Sequence, residues 1–447
     1  MPYLGIVRSG DATRCTQLAP ASRLARLTTY ARAGSMRGDV TRRAALFRAS
    51  RVMAYATLDA RALGDWNANT ARAATTAYAR RDALDATESF FDGFSWQREG
   101  RFGLSYDVAR RAFAVFRERD DESVGVTRAR TGERAYDAAI SPNEDVFAAT
   151  ARDAPTTTRR ADGDGEIVAS YVSVDRRSDE PRSACGVGYV CGGTMLACGV
   201  DGAVDVFDVT RPGRSVVMRA ETRSRDDLDG GGQRGLVSCV DACPTENHLF
   251  CAGSYAGGRD AIDCGVYDAR AEGGRACSWS ARGGGVTQVR WSVDGNFIYT
   301  ASRRSDDILC VDVRNTLGVV YALKRAAHGT NQRIRFDLEP CGAHLVTGGV
   351  DGFVRAFDLR TGEEVGRTQV SPNGACVNAV SFHPYSCAVA GSSEKFRRLA
   401  CVVGERVFVD VSGDDSDSDD SDDSDAVKRN DFGVSFWDYP TIEASWA

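Results

Sequence analysis

The chain has 447 residues, 43% of them hydrophobic, and a formal net charge of −6 at pH 7. That is enough apolar material for a sizeable core in one large domain or several ordinary ones. The net charge does not advertise nucleic-acid binding, so any such function has to rest on a local patch.

The first 85 residues carry fourteen Arg, six acids and no Lys. From residue 15 this segment is Ala/Arg-rich, which is compatible with helix or disorder. It forms a basic extension (1–85) ahead of the main domain (86–447). Three readings stand side by side: a basic RNA-contacting arm, an organelle presequence, or sequence ahead of the true start. No apolar run is long enough to span a bilayer and no secretory signal pattern opens the chain, which reads as soluble and intracellular with no membrane partner.

From Phe90 onward the chain repeats itself. "FFDGFSWQREGRFGLSYDVARRAFAVFRE" (90–118) and "RAYDAAISPNEDVFAATARD" (134–153) are weak copies; the second is expected to lose its next strand to the polar run "TTTRRADGDG". Four strong copies follow: "LACGVDGAVDVFDV" (196–209), "FCAGSYAGGRDAIDCGVYDA" (250–269), "IYTASRRSDDILCVDVR" (298–314) and "LVTGGVDGFVRAFDLR" (345–360). Each has an apolar strand ending in small residues, a polar turn, and a second alternating strand closing on Asp: Asp208, Asp268, Asp312 and Asp358. A last copy, "CVNAVSFHPYSCAVAGSS" (376–393), is interrupted before its closing "VSFWDYP", which holds Asp438.

First strands are expected near Phe90, Tyr136, Gly186, Val237, Val286, Ile334 and Val377, a step in the forties to low fifties. Short strands at that period with a terminal aromatic-Asp are the signature of four-stranded propeller blades. One small sheet cannot bury both faces, whereas blades packed face to face can. The fold class is therefore all-β, a seven-bladed WD-repeat β-propeller with an Ala/Arg-rich N-terminal extension. The last blade is short of a strand, and the extension is expected to supply it.

Between 412 and 430 lies an acidic loop whose core, Asp414–Asp425, has eight Asp. Its charge repulsion has no apolar burial to offset it, so it reads as disordered. Ser416, Ser418, Ser421 and Ser424 lie beside acids and resemble acidophilic-kinase targets. The fourteen Cys form no CxxC pair and the four His are scattered. No metal site or cofactor is expected, and the thiols read as small buried side chains.

Several stretches resemble the telomerase Cajal body protein family: "VDVFDVTRPGR" (204–214), "GLVSCV" (235–240), "TNQRIRFDLEPCGAHLVTGG" (330–349), "VNAVSFHP" (377–384) and "GERVF" (404–408), in this order. "EKFRRLACV" (394–402) looks like an insertion against that pattern. The resemblance implies a WD-repeat propeller that binds the CAB-box loop of small Cajal body RNAs and telomerase RNA. It further implies delivery of those RNAs to Cajal bodies in the nucleus, telomere maintenance, and H/ACA ribonucleoprotein proteins and telomerase as partners of a monomeric chain.

In a propeller the turn between second and third strands, and the link into the next blade, emerge on one face. That rule places Asn331, Gln332 and Arg333 with Arg303, Arg304, Arg152, Gln233, Arg234, Tyr255, Tyr106, Arg406 and Gly349. Arginines fork onto phosphate or stack, Tyr255 offers a stacking face, and Asn and Gln offer donors and acceptors to base edges. Gly349 lets a ligand approach the backbone. The same residue types also serve plainer ends: Asn, Gln and Thr ahead of a strand satisfy loop backbone groups, and arginines pair with Asp306, Asp307 or Asp351. No nucleophile–base set or phosphate loop is present, so an enzyme is not expected. The alternative to an RNA reader is a protein-only scaffold that holds a peptide on the propeller rim.

Overall fold

The structure, a computed structural model, describes residues 4–9, 12–17, 61–63, 72–79, 91–108, 111–118, 124–222, 232–256, 261–271, 274–327, 329–388, 395–404 and 433–443. Seven four-stranded antiparallel sheets follow one another along the chain, the blades of a β-propeller. Blade 1 comprises Phe91–Trp96, Gly103–Asp107, Ala112–Glu118 and Val124–Arg130. Blade 2 comprises Ala135–Ile140, Val146–Ala151, Thr156–Arg160 and Ile167–Tyr171. Blade 3 comprises Gly186–Val190, Met195–Val200, Ala203–Asp208 and Val216–Glu221, and blade 4 Val237–Ala242, Leu249–Ser254, Cys264–Asp268 and Arg275–Trp279. Blade 5 comprises Val286–Trp291, Phe297–Ser302, Asp307–Asp312 and Asn315–Lys324, and blade 6 Phe336–Leu338, His344–Thr347, Phe353–Asp358 and Glu364–Gln369.

Blade 7 is built from both ends of the chain. Val377–Ala388, Lys395–Val403 and Gly433–Glu443 supply three strands, and Arg72–Ala79 pairs antiparallel with the last, from Gly433↔Ala79 to Asp438↔Arg72. An unpaired edge at Gly433–Glu443 would leave a row of backbone groups without partners. "RAATTAYA", with its central β-branched pair, fills that edge. The described pieces of the Ala/Arg-rich segment, Ala12–Gln17, Arg61–Leu63 and Arg72–Ala79, are thus strands, not helix.

Two other expectations are corrected. The Thr-rich run keeps its strand, Thr156–Arg160, because Thr156 and Thr158 point inward and are buried while β-branched Thr suits an extended backbone. In blade 7, "EKFRRLACV" is no insertion. Lys395–Val403 is the second strand itself, with Leu399, Ala400, Cys401 and Val402 fully buried, and the preceding apolar residues extend the first strand to Ala388.

The chain forms two compact units, Tyr136–Arg159 and Ile167–Lys324 with Met1–Leu58, and Asp59–Ala135, Arg160–Glu166 and Arg325–Ala447. In each the core lies between adjacent blades. In the first, Val187, Leu196, Cys198 and Phe207 pack with Ala148 and Tyr171 of blade 2, and Trp279, Cys264 and Val266 pack with Val286, Trp291 and Ile298. In the second, Val346, Val354 and Ala356 pack on Val377, Val380 and Leu399, while Phe91, Phe94 and Phe116 meet Val402 and Phe436.

The small residues that end the second strands have a specific reason. A Cβ on Gly199 would come within 2.7 Å of the carbonyl oxygen of Val237, where blade 4 begins. A Cβ on Gly253 would overlap the Val286 side chain, and one on Gly348 the Val377 carbonyl. Carboxylates on first strands tie neighbouring first strands together: half-buried Asp241 accepts the Trp291 N–H at 2.8 Å, and buried Asp337 accepts the Phe382 N–H at 2.9 Å. The closing Asp residues hold the turns after the third strands. Asp268 accepts the Arg270 N–H at 3.0 Å and pairs with its guanidinium at 2.7 Å, Asp312 does the same with Arg314 at 2.9 and 2.6 Å, Asp208 accepts from Thr210, and Asp358 accepts from Arg360. The Asp438 side chain lies outside the described residues.

Gly348→Ala is expected to lower stability by about 1–3 kcal/mol in urea unfolding, the usual cost of overpacking. Gly318→Ala, at an open strand position with no neighbour within 4 Å, is the control and should be neutral or slightly stabilising; equal losses in both variants would remove the inter-blade explanation.

Candidate nucleic-acid interface

The link between blades 4 and 5 and the second turn of blade 5 form a short ladder. The Arg303 N–H donates to Gly285 O at 2.9 Å, and the Gly284 N–H donates to Arg303 O at 3.2 Å. The approach is close enough that side chains are excluded: a Cβ on Gly283 would overlap Ser302, and one on Gly285 (φ +109°) would touch Tyr255. This contact sets the Arg303 guanidinium 4.0 Å from the centre of the Tyr255 ring, a cation–π stack. Arg303 Nε is buried and makes no hydrogen bond.

The preceding link joins the same place. Gly235, at φ +84°, runs against the Tyr255 carbonyl, and the Tyr255 N–H donates to Leu236 O at 2.9 Å. Exposed Arg234 sits at the head of that link, anchored by its N–H to Ile262 O at 3.0 Å. Arg234, Tyr255 and Arg303 therefore converge. Arg304, beside Arg303, is exposed. Arg152 is exposed on the second turn of blade 2 and pairs with its neighbour Asp153 at 3.4 Å.

Four residues expected at the interface do other work. Gln233 is fully buried; its Nε2 donates to Ala252 O and Asp263 O, and its Oε1 accepts the Tyr267 hydroxyl at 2.6 Å. With its amide spent on the blade, it has nothing to offer a base. Tyr106 is buried, with its hydroxyl accepting the Ala135 N–H at 2.9 Å. Gly349 is buried where a Cβ would press on the Asp351–Arg355 ion pair, so it makes room for protein. Gln332 donates to Asn378 Oδ1 and to Gly404 O, while Asn378 donates to Phe91 O at 3.1 Å. It is a brace between blades 6 and 7.

Asn331 is exposed and Arg333 half-buried on the same link. Arg406 and the four serines of the acidic tract lie outside the described residues. Arg282 is exposed at the start of the glycine run Gly283–Gly285 and was not among the expected residues.

Asp263 is fully buried, and its Oδ1 accepts the Ala281 N–H at 2.7 Å. This bond fixes the start of the link that carries Gly283–Gly285. Burial pushes the Asp263 carboxyl up to about 6. Catalytic groups do not gather here. His344 pairs with Glu339 at 2.7 Å in blade 6, His383 braces Tyr385 and Gly100, and among the described residues no three His, Cys, Asp or Glu side chains could hold a metal ion. The described cysteines are free thiols, and burial raises Cys198 to about 12 and Cys191 to about 11.

Comparison with known proteins bears on the same fold. The WD domain, G-beta repeat, family matches residues 275–311, which run from the outer strand of blade 4 through the third strand of blade 5. The repeat is thus offset by one strand from the blade, as a last blade closed by an N-terminal strand requires. Telomerase Cajal body protein 1 of Homo sapiens is 30% identical over 74% of this chain and 60% of its own length. That of Mus musculus is 29% identical over 74% and 62%. The chain is a WD-repeat propeller homologous to the telomerase Cajal body proteins. It spans about three fifths of the length of these relatives. A guanine nucleotide-binding protein negative regulator 1 from Schizosaccharomyces pombe is also similar, 29% identical over 56% of this chain and 60% of its own length. Among the described residues no helix is long and apolar enough to cross a membrane.

Because the folded Asp263 carboxyl titrates above an unfolded Asp, its protonated form is the one the fold prefers. Its contribution is therefore fully favourable below about pH 4 and declines as pH rises through about 6. Asp263→Asn should flatten that decline in a series of thermal melts between pH 4 and 7. A variant whose melting point keeps the parent's pH profile would show that this carboxyl is not the titrating group.

Proposed function

We propose that this chain is a non-enzymatic RNA-binding platform that recognises the CAB-box loop of small Cajal body RNAs and telomerase RNA. In this reading it directs those particles, with H/ACA ribonucleoprotein proteins and telomerase, to nuclear Cajal bodies. The names of the relatives support the telomerase and Cajal body setting. The observation that carries the RNA reading is a contrast among arginines. Arg211, Arg270 and Arg314, on turns after third strands, each fold back on a closing Asp, and Arg219 forms a buried pair with Asp205. Among the described residues neither Arg234 nor Arg303 forms a salt bridge to a carboxylate, and Arg303 is laid flat on an aromatic ring instead.

An unneutralised guanidinium stacked on tyrosine, with glycine backbone beside it, suits an unpaired nucleotide. The plane offers a stacking surface and the charge attracts phosphate. Asn331 and Arg333, on the link ahead of blade 6, are further proposed contacts, as are Arg152 and Arg304.

Two measurements test this. RNA crosslinked to the protein in cells and sequenced should be enriched in CAB-box loops. Purified protein should bind a CAB-box hairpin more tightly than the same hairpin with a point-mutated loop. Arg303→Ala should weaken hairpin binding roughly tenfold, in the range of one base stack, and reduce the salt slope by about 0.7. Equal affinity for both hairpins, with only protein recovered after crosslinking, would instead assign a peptide-holding scaffold.

A further inference from the structure

The glycine run beside the stack begins with a residue that glycine would suit better. Arg282 has φ +57°, in the left-handed region, where an L side chain carries a steric cost that glycine avoids. The three residues that follow are all glycine, so the chain had the cheaper residue at hand in the same turn. Arg304, on the facing turn, is also left-handed, at φ +53°. The corresponding turn of blade 3 uses Gly202, at φ +70°. Of the other left-handed residues, Asp153 and Asp179 are of a type that tolerates this conformation, and Cys191 opens a tight Cys-Gly-Gly turn with its N–H held by Asn247 O at 2.9 Å. Arg111 has a local explanation, since its guanidinium reaches the Gly132 carbonyl.

Arg282 has no such explanation. Its N–H donates to Ser280 Oγ at 3.2 Å, and among the described residues its exposed side chain has no carboxylate partner. Its backbone is nevertheless well fixed. On one side the Ala281 N–H is held by buried Asp263, and on the other Gly284 is hydrogen-bonded to Arg303. Gly284 lies two positions beyond Arg282, at most roughly 7 Å of extended chain. A rigid, strained position that presents a free cation beside an aromatic stack is strain kept for a reason other than the turn.

We propose that Arg282 contacts the phosphodiester backbone of a single strand whose base lies against the Arg303–Tyr255 stack. This rests on the RNA reading above and adds to it a phosphate contact that positions the strand. Arg303 and Tyr255 then supply the planar surface, and Arg282 neutralises a phosphate beside it. Such contacts strengthen binding to any loop sequence alike, so they set affinity and salt dependence and not discrimination.

The test uses the full chain, a fluorescent CAB-box hairpin, the same hairpin with a mutated loop, and several salt concentrations. Arg282→Gly should melt at the parent temperature or above it, because it relieves the left-handed strain. It should bind both hairpins about fivefold more weakly, with the salt slope reduced by about 0.7 for one lost phosphate contact on a single strand. Arg282→Lys, which keeps the charge, should retain most of the slope. If Arg282→Gly binds like the parent while Arg303→Ala is weakened, the phosphate assignment is wrong and the RNA reading survives. If Arg303→Ala and Arg234→Ala also bind like the parent, the RNA reading itself has failed.

Discussion

The closest constraint in the molecule is the approach of one blade's second strand to the first strand of the next. Gly199 against Val237, Gly253 against Val286 and Gly348 against Val377 leave no room for a methyl group. A four-stranded sheet has two faces to bury and cannot bury either alone, so blades are stable only where the gap between them closes to side-chain contact. Glycine on one side and a β-branched residue on the other close it. The apolar clusters in each unit then form between blades, and the loops at the strand ends are held where they are because the strands are.

Polar groups divide into those that hold this packing and those left over. Asp241 and Asp337 reach across to backbone N–H groups of the following first strand, and Gln332, Asn378 and Gln233 donate to loop carbonyls. Each has its hydrogen-bonding capacity committed to the protein. Arg270 and Arg314 are committed in the same way, to carboxylates two residues back. Among the described residues, Arg234, Arg282 and Arg303 near Tyr255 form no salt bridge to a carboxylate. The candidate interface is drawn less from where arginines occur than from which of them lack such a partner there.

Much of the fold could be read from residue order, and the blade starts show why. Gly186, Val237, Val286 and Val377 begin first strands at the expected residues, and Phe91 and Ala135 lie one residue from expectation. Alternation and small-residue endings are local properties, so they survive in a single sequence. The second strand of blade 7 was misplaced because "SCAVAGSS" and "FRRLACVV" both alternate acceptably, and only burial of Leu399 and Cys401 selects the second. The placement of the candidate residues was only partly legible. Tyr255, Arg303 and Arg234 come together as the strand-end rule requires, whereas Gln233, Gln332, Tyr106 and Gly349 obey the same rule and turn inward. Position on a link does not say whether a side chain faces water or a neighbouring carbonyl.

The sequence alone determined the strand period, the seven blades, the need for an N-terminal strand to complete the last one, and the kinship carried by its Thr-Asn-Gln-Arg and Arg-Pro-Gly-Arg runs. These are one-dimensional patterns set by pleat, turn chemistry and composition. Tertiary structure decided which polar side chains are spent on buried backbone groups and which arginines meet a carboxylate. It also decided that Arg303 lies on Tyr255 and that Arg282 is held in a left-handed turn. Those outcomes depend on distances between residues dozens of positions apart, and a chain fixes such distances only once its blades have packed.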